Sequence, residues 1–522
     1  MTWEVVNMSQ IFYKLSDKVQ KKIWDMGWKH FTPIQEKAIP VIIDTEKDVV
    51  LSSGTASGKT EAAFLPIISK IHETASNVLK VLYVSPLKAL INNQFERLQK
   101  LCEEMNIPVH RWHGDVSQHS KKKLINNPAG ILQITPESIE SLFINRTQFL
   151  KQLFQELEFI VIDELHAFID TERGVQLRSL LSRIKQYTKR CPRIIGLSAT
   201  IDNFSLIKKW INCNNPDNVE IIEVKGFERD IYYSLMHFEK SKTGNYPLEL
   251  YEDILELTRN YTSLIFFNSR AAVEEATVIL NRLAQREKLG ERYFAHHSSI
   301  AKAEREFVEK LMSESTGIKS VIATSSLELG IDIGEIDLVI QVDSTFTVSS
   351  LKQRLGRSGR KQGEGQYLQM YTTDKYGLLQ SIAVMDLLLQ GWTEPCKGYP
   401  YPYDILFHQI ISICHQLNGI PLEKLVSLVS ENAAFYELPE SDIRMLVEHM
   451  IGKEYLEILA GTQELIVGLE GERLLRQKDF YSVFMTPEVY EVFYGTKNIG
   501  EIEKTFLLNE GDNIILAGRL WK

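Results

Sequence analysis

Eight residues, Ser53–Gly54–Thr55–Ala56–Ser57–Gly58–Lys59–Thr60, lie between an apolar run, Asp48–Ser52, and a helical pattern, Glu61–Ile71. The run has the continuous apolar character of a strand buried on both faces. A strand that turns through small residues into Gly-Lys-Thr and then a helix has few folds open to it. It specifies an α/β layer with a loop at the carboxyl end of a strand. Small residues let the backbone approach a ligand closely. The loop aims N–H groups inward at a helix N-terminus, which carries roughly half a unit of positive charge. Lys59 would then reach β- and γ-phosphates, and the Thr60 hydroxyl would sit on Mg²⁺. The pattern points to a bound nucleoside triphosphate, ATP or GTP.

The same strand–helix alternation recurs along the chain. Asp48–Ser52, Lys80–Ser85, Gly130–Ile134, Phe159–Asp163 and Arg193–Ser198 read as parallel strands. A second set follows: Ser263–Asn268, Tyr293–His296, Ser320–Thr324, Leu338–Val342 and Gln366–Tyr371. The reading is therefore two successive α/β parallel-sheet domains, 1–226 and 227–392. After the Pro-containing stretch Thr393–Tyr403 the pattern becomes helical and closes in a strand-like Leu465–Leu469, which suits a winged helix over 393–470. Short strand-like runs split by Gly495, Gly500 and Gly511 suggest a small β-module over 471–522. The chain stops at Gly518–Lys522 in what reads as a strand end, as a truncated module would.

At 522 residues the chain exceeds what one core supports. No apolar stretch reaches the roughly 20 residues needed to cross a bilayer, and the N-terminus lacks the order of a signal peptide. The five cysteines are scattered with no C-x-x-C pair, which argues against a zinc or iron–sulfur site and fits a reducing cytoplasm. Net charge is −9, from 59 basic and 68 acidic residues. From Thr393 onward the chain holds 11 basic and 20 acidic residues, so the remainder is balanced at 48 of each. A local basic groove is compatible with that balance, because polynucleotide affinity depends on charges near the phosphates. The acidic C-terminal region instead suits packing or a protein partner.

Further chemistry sits at other strand ends. Phe159–Ile162 runs into Asp163–Glu164–Leu165–His166. Asp163 would hold Mg²⁺ through water, and Glu164 would polarise the water that attacks a γ-phosphate. Ser198–Ala199–Thr200 closes the next strand with a hydroxyl pair able to bond the acidic site, and His166 would couple that site to domain closure. Gln353–Arg354–Leu355–Gly356–Arg357–Ser358–Gly359–Arg360 places three arginines within seven residues of the second sheet domain. A guanidinium arriving at the γ-phosphate is worth on the order of 10³ or more in rate, and one borne on another domain makes hydrolysis depend on closure.

Together these elements resemble the superfamily 2 helicases. Thr32–Pro33–Ile34–Gln35 resembles the glutamine element that reads adenine, with Trp28 or Phe31 as the stacking or core residue beside it. Ser53–Thr60 is similar to motif I, Ser85–Leu90 to motif Ia, Thr135–Ser138 to motif Ib and Asp163–His166 to motif II. Ser198–Thr200 is similar to motif III, Ile265–Arg270 to motif IV, Ala323–Asp332 to motif V and Gln353–Arg360 to motif VI. Within the superfamily the chain resembles the large helicase-related (Lhr) family, through Glu61–Phe64, Arg173–Leu177, Asp404–Ile410, Asp479–Phe484 and Leu516–Trp521. The motif I glycine of the family is Ala56 here, tolerable where φ is negative.

The resemblance implies two RecA-like domains that clamp ATP and Mg²⁺ between them. It also implies 3′→5′ translocation on single-stranded DNA, with unwinding of DNA or RNA–DNA hybrids, tied to repair. Members continue into a further helical domain that grips the strand, so translocation is a safer expectation here than efficient unwinding. Gln35, Ser53–Thr60, Gly330 and Asp332 would contact or sense the nucleotide, and Lys59, Glu164, Arg357 and Arg360 would act in hydrolysis. Ser85, Pro86, Lys88, Thr135, Pro136, Glu137, Ser269, Arg270, Thr324, Ser325 and Ser326 would line a groove for a strand's phosphates. Such a grip reads backbone rather than bases, so RNA remains open as the polymer. An inactive ATP-switched scaffold is the third reading.

Overall fold

The computed structural model describes residues 10–54, 57–199, 201–224, 230–242, 244–314, 317–328, 333–359, 365–483, 489–504 and 511–521. The chain forms two compact units, Met1–Gly226 with Pro395–Thr486, and Phe227–Glu394 with Pro487–Lys522.

The first unit is built on seven strands: β1 (Asp48–Ser53), β2 (Leu79–Val84), β3 (Val109–Trp112), β4 (Gly130–Ile134), β5 (Phe159–Ile162), β6 (Arg193–Ser198) and β7 (Val219–Val224). They pair in the order β3-β4-β2-β5-β6-β1-β7, every pair parallel. Residues of β1, β2, β4, β5 and β6 are buried throughout, as a sheet covered on both faces requires. Five of these strands match the apolar runs of the sequence. The edge strands β3 and β7 do not, because an edge needs less apolar content: β3 carries His110 and Arg111, and β7 alternates through Glu220 and Glu223.

The C-terminal part of this unit has winged-helix architecture. Helix Tyr403–Leu417, strand β14 (Ile420–Pro421), helices Leu422–Ser430 and Glu440–Gly452, then β15 (Leu456–Ile458) and β16 (Glu464–Val467) follow in order. The three strands form an antiparallel sheet, β14-β16-β15. The connecting stretch is tied down rather than loose: Asp170 accepts from the amides of Lys397 (3.0 Å) and Gly398 (2.6 Å). Helix Tyr403–Leu417 packs its polar face inward. Fully buried Glu140, on helix Pro136–Asn145, accepts from Gln409 (2.6 Å) and Ser412 (2.5 Å), while Arg183 of helix Glu172–Lys185 donates to Gln409 (2.9 Å) and Ser412 (3.0 Å). Residues 471–475, expected to open the β-module, belong instead to a helix of nearly two turns, Leu469–Leu475, that packs Gly471 and Leu475 inward.

The second unit repeats the plan with six strands: β8 (Ile231–His237), β9 (Ser263–Phe266), β10 (Tyr293–His296), β11 (Ser320–Ala323), β12 (Leu338–Val342) and β13 (Gln366–Thr372). Their order is β10-β11-β9-β12-β13-β8, again all parallel. Edge strand β8, missing from the sequence reading, exposes Tyr232, Tyr233 and Met236. Two hairpins join this unit, β17 (Val489–Tyr494) with β18 (Lys497–Glu503), and β19 (Ile514–Leu516) with β20 (Arg519–Trp521). The second is pinned at its turn. Ala517 and Gly518, both at positive φ, donate their amides to buried Glu274 on helix Arg270–Arg286 at 2.6 and 2.5 Å. Among the described residues no helix is long and apolar enough to cross a membrane.

Candidate active site

In the first unit β1 delivers Ser53 and Gly54 to the loop, and helix Lys59–Ile71 begins immediately after Gly58. Gly58 sits at φ +85°, which favours glycine, and a Cβ there would stand 2.6 Å from Gln35 Nε2 and push that side chain aside. Thr55 and Ala56 lie outside the described residues. Ser53 and Ser57 share a hydroxyl hydrogen bond of 2.6 Å. Lys59 Nζ folds back onto the carbonyls of Ser53 (2.6 Å) and Gly54 (2.7 Å). Burial lowers its pKa, against the pull of Glu164 and Asp163. A half-buried ammonium held by backbone carbonyls beside a helix N-terminus is a fit for a phosphate, whose charge it would meet directly. Gln35, from helix Pro33–Asp44, accepts from the Thr32 amide (2.9 Å) and donates to the Gly58 carbonyl (3.4 Å), which places it against the phosphate loop.

The acidic pair follows β5. The Asp163 amide closes the β2–β5 ladder on Val84 O at 2.8 Å. One carboxylate oxygen of Asp163 accepts from its neighbour's amide (Glu164 N, 3.0 Å) and the other from the hydroxyl of Tyr83, a fully buried residue of β2. Burial, reinforced by Glu164, pushes the Asp163 carboxyl up to about 6. That is the signature of a buried acidic pair lacking a full counter-charge, and hard carboxylate oxygens of this kind suit a divalent cation such as Mg²⁺. Glu164 itself is at φ +47°, a left-handed backbone that turns the chain sharply out of the strand. His166 Nδ1 accepts from the Ser198 hydroxyl (3.3 Å) and the Ala199 amide (3.4 Å) and lies 3.6 Å from Glu164 Oε2. Burial, helped by Lys59, drops the His166 pKa to about 4, so the ring is neutral. His166 and Ser198 thus sit beside the acidic pair, and Lys59 is near enough to feel its charge; Thr200 lies outside the described residues.

The residues assigned to a strand groove divide into two local sets. Ser85 is fully buried, its amide bonded to Ile134 O (3.1 Å), and Lys88 pairs with Asp115 (3.0 Å). Thr135 bonds Ser138 (3.1 Å) and Pro136 opens helix Pro136–Asn145. Both oxygens of Glu137 are engaged by Arg173 at 2.5 and 3.0 Å, so its carboxylate is committed within the protein. In the second unit Ser269 caps helix Arg270–Arg286 by accepting from Ala272 N (3.2 Å), and Arg270 pairs with Glu503 of β18 (3.1 Å). Thr324 precedes the short turn Ser325–Leu327, whose Ser326 hydroxyl lies 3.0 Å from His296 Nδ1. Arg357 is only 2% exposed and donates to the Glu328 carbonyl, while Arg354 pairs with the Glu328 carboxylate over the Phe266 ring. Gly330, Asp332 and Arg360 lie outside the described residues. Tyr83 and the structural part played by Arg173 escaped the sequence reading; a tyrosine inside a buried apolar strand was the available signal for the first.

Two successive all-parallel sheets, one with a lysine loop after β1 and an acidic pair after β5, separated only by β6, define the core of a superfamily 2 helicase. The DEAD/DEAH box helicase family matches residues 32–207, and the helicase conserved C-terminal domain matches residues 247–362. The chain is similar to helicases of the Lhr family. It is 29% identical to the ATP-dependent helicase Lhr-Core of Saccharolobus solfataricus over 98% of its own length and 61% of that protein's. It is 25% identical to the Lhr helicase/uracil glycosylase of Escherichia coli over 95% of its length and 37% of the relative's. The structure of the Mycobacterium smegmatis helicase Lhr bound to ssDNA and AMP-PNP superposes with a TM-score of 0.78 at 26% identity, covering 92% of this chain and 64% of that one. The helicase MrfA bound to DNA and AMPPNP shares the fold, with a TM-score of 0.77 at 20% identity. The chain thus spans about three fifths of the Lhr-Core relative.

Proposed function

We propose that the chain is a nucleic-acid-stimulated ATPase that translocates 3′→5′ on single-stranded DNA, in DNA repair or processing. The observation that carries this reading is the cluster in which Lys59 lies within electrostatic reach of Asp163 and Glu164, with His166 beside Glu164 and bonded to Ser198. Lys59 and the loop N–H groups bind the phosphates, and Gln35 orients the base. Thr60 and Asp163 hold Mg²⁺, which when bound neutralises charge on the phosphates. Glu164 orients the attacking water and takes its proton. Arg357 and Arg360, with Gly330 and Asp332, belong to the second unit and complete the site when the units close, so that Arg357 exchanges the Glu328 carbonyl for a phosphate oxygen. The two sets Ser85–Lys88 with Thr135–Glu137, and Ser269–Arg270 with Thr324–Ser326, grip the polymer on either unit. The domain limits that go with this reading are 1–226, 227–392, 393–470 and 471–522. The M. smegmatis relative, bound to ssDNA and AMP-PNP, supports DNA as the polymer. An acidic C-terminal region leaves a protein partner the natural reading for that surface.

The test is ATP turnover with no polymer, with single-stranded DNA, and with RNA of matched length. Stimulation by DNA is expected; stimulation by RNA alone would move the assignment to an RNA remodeller. A second expectation concerns Tyr83→Phe. The ring still fills its place, yet Asp163 loses one of its two donors and its carboxylate is no longer held in plane. Affinity for Mg·ADP should fall roughly tenfold to a hundredfold, the scale of one hydrogen bond to a charged group, while affinity for ADP without Mg²⁺ holds. Titration calorimetry distinguishes the two.

A further inference from the structure

We propose that Arg173 sets the spacing of the two strand-gripping loops, Ser85–Lys88 and Thr135–Glu137, and is a positioning residue for binding single-stranded polynucleotide. The inference rests on the function proposed above and assigns a role that no contact with the polymer would give.

Arg173 occupies the first turn of helix Glu172–Lys185, whose N-cap Thr171 accepts from the Gly174 amide. Its guanidinium forks onto Glu137 through Nε (2.5 Å) and Nη2 (3.0 Å), and Nη1 donates to the Pro86 carbonyl at 2.6 Å. Three donors of one rigid plane therefore join the loop after β2 to the loop after β4. Those strands are paired, and their last ladder contact is Ser85 N to Ile134 O; beyond that point the sheet no longer fixes the loops. The Arg173 fork takes over where the ladder ends.

The anchor of this fork is itself immobile. A Cβ on Gly174 would stand 1.6 Å from the Phe168 carbonyl oxygen, so the first helical turn is pressed against the segment that follows the acidic pair. One turn further, Gln176 donates to buried Glu140 at 3.1 Å, fastening the same two helices again. The Thr135–Glu137 loop therefore cannot shift against Ser85–Lys88 unless Arg173 lets go. Lysine cannot replace it, because a point ammonium does not present a fork and a third donor in one plane.

The test uses the full chain and a fluorescein-labelled oligo-dT, read by anisotropy, with mant-ADP affinity and a thermal melt as companions. Arg173→Lys and Arg173→Gln should each weaken oligonucleotide binding roughly tenfold or more, with mant-ADP affinity within about twofold of the parent. Glu137→Gln should act in the same direction, and the Arg173→Gln/Glu137→Gln pair should be no weaker than the single Arg173 variant. Parent-like binding by Arg173→Lys, additive losses in the pair, or a parallel loss of mant-ADP affinity would each overturn the proposal. Parent protein that ignores oligo-dT while still binding mant-ADP would instead overturn the function proposed above, and this inference with it.

Discussion

Glu164→Gln is expected to keep nucleotide binding and to lower ATP turnover by about 10²- to 10⁴-fold, the usual contribution of a positioned base. The amide is the same size as the carboxyl and tolerates the left-handed backbone at this position no worse, so the turn out of β5 is preserved. What is lost is the ability to take a proton from the attacking water. The neighbouring groups argue that binding survives. Glu164 is one of the two influences that raise the Asp163 carboxyl, so removing its charge eases ionisation of Asp163. Lys59 keeps both carbonyl partners, which belong to the loop. Initial-rate ATPase and mant-ADP titration on the same preparation separate the two effects. Retained hydrolysis would mean that another base does the work.

The second large effect is on stability. Glu140 is fully buried among Arg183, Gln409, Ser412 and Gln176, and it stitches the winged-helix region to the sheet layer of the first unit. Burial opposes its charge, yet His408, Arg183 and the Ser412 and Gln409 donors outweigh burial and hold the carboxyl below its ordinary 4.5. Glu140→Ala leaves the Arg183 guanidinium buried without its counter-charge and should cost about 3–5 kcal/mol. Replacing Glu140 and Arg183 together by Met should recover only part of that loss, since no charge is left unpaired but buried Gln409 and Ser412 lose their acceptor. The stabilisation by Glu140 is present above the ordinary carboxyl range and fades as pH falls through its lower folded-state value. Urea midpoints of the variants measure all three, and an Ala variant as stable as the parent would remove the network from any account of how this region is fixed.

The phosphate loop and acidic pair were legible because local sequence dictates them: glycine at Gly58 is favoured by its positive φ, and the pair stands at the end of an apolar strand. The ten strands read from apolar runs were legible for the same reason. The edge strands β3, β7 and β8 were not: half-buried polar residues interrupt β3 and β7, and exposed positions dilute the pattern of β8. Nor could local reading find groups that act through distant partners. Tyr83 meets Asp163 across 80 residues, Arg173 meets Pro86 across 87, and Gln409 meets Glu140 across 269. Glu274, which pins the C-terminal hairpin turn, is an ordinary helix glutamate until Ala517 and Gly518 arrive.

The central claim is that nucleotide and polymer together draw the two units shut and that hydrolysis follows from the shut state. It is tested most directly by energy transfer between a donor on an exposed position of the first unit and an acceptor on the second. Adding AMP-PNP with single-stranded DNA should give one short, narrow distance distribution that neither gives alone, and ADP should broaden it again. A distribution unchanged by every ligand, in protein that still hydrolyses ATP, would contradict the claim.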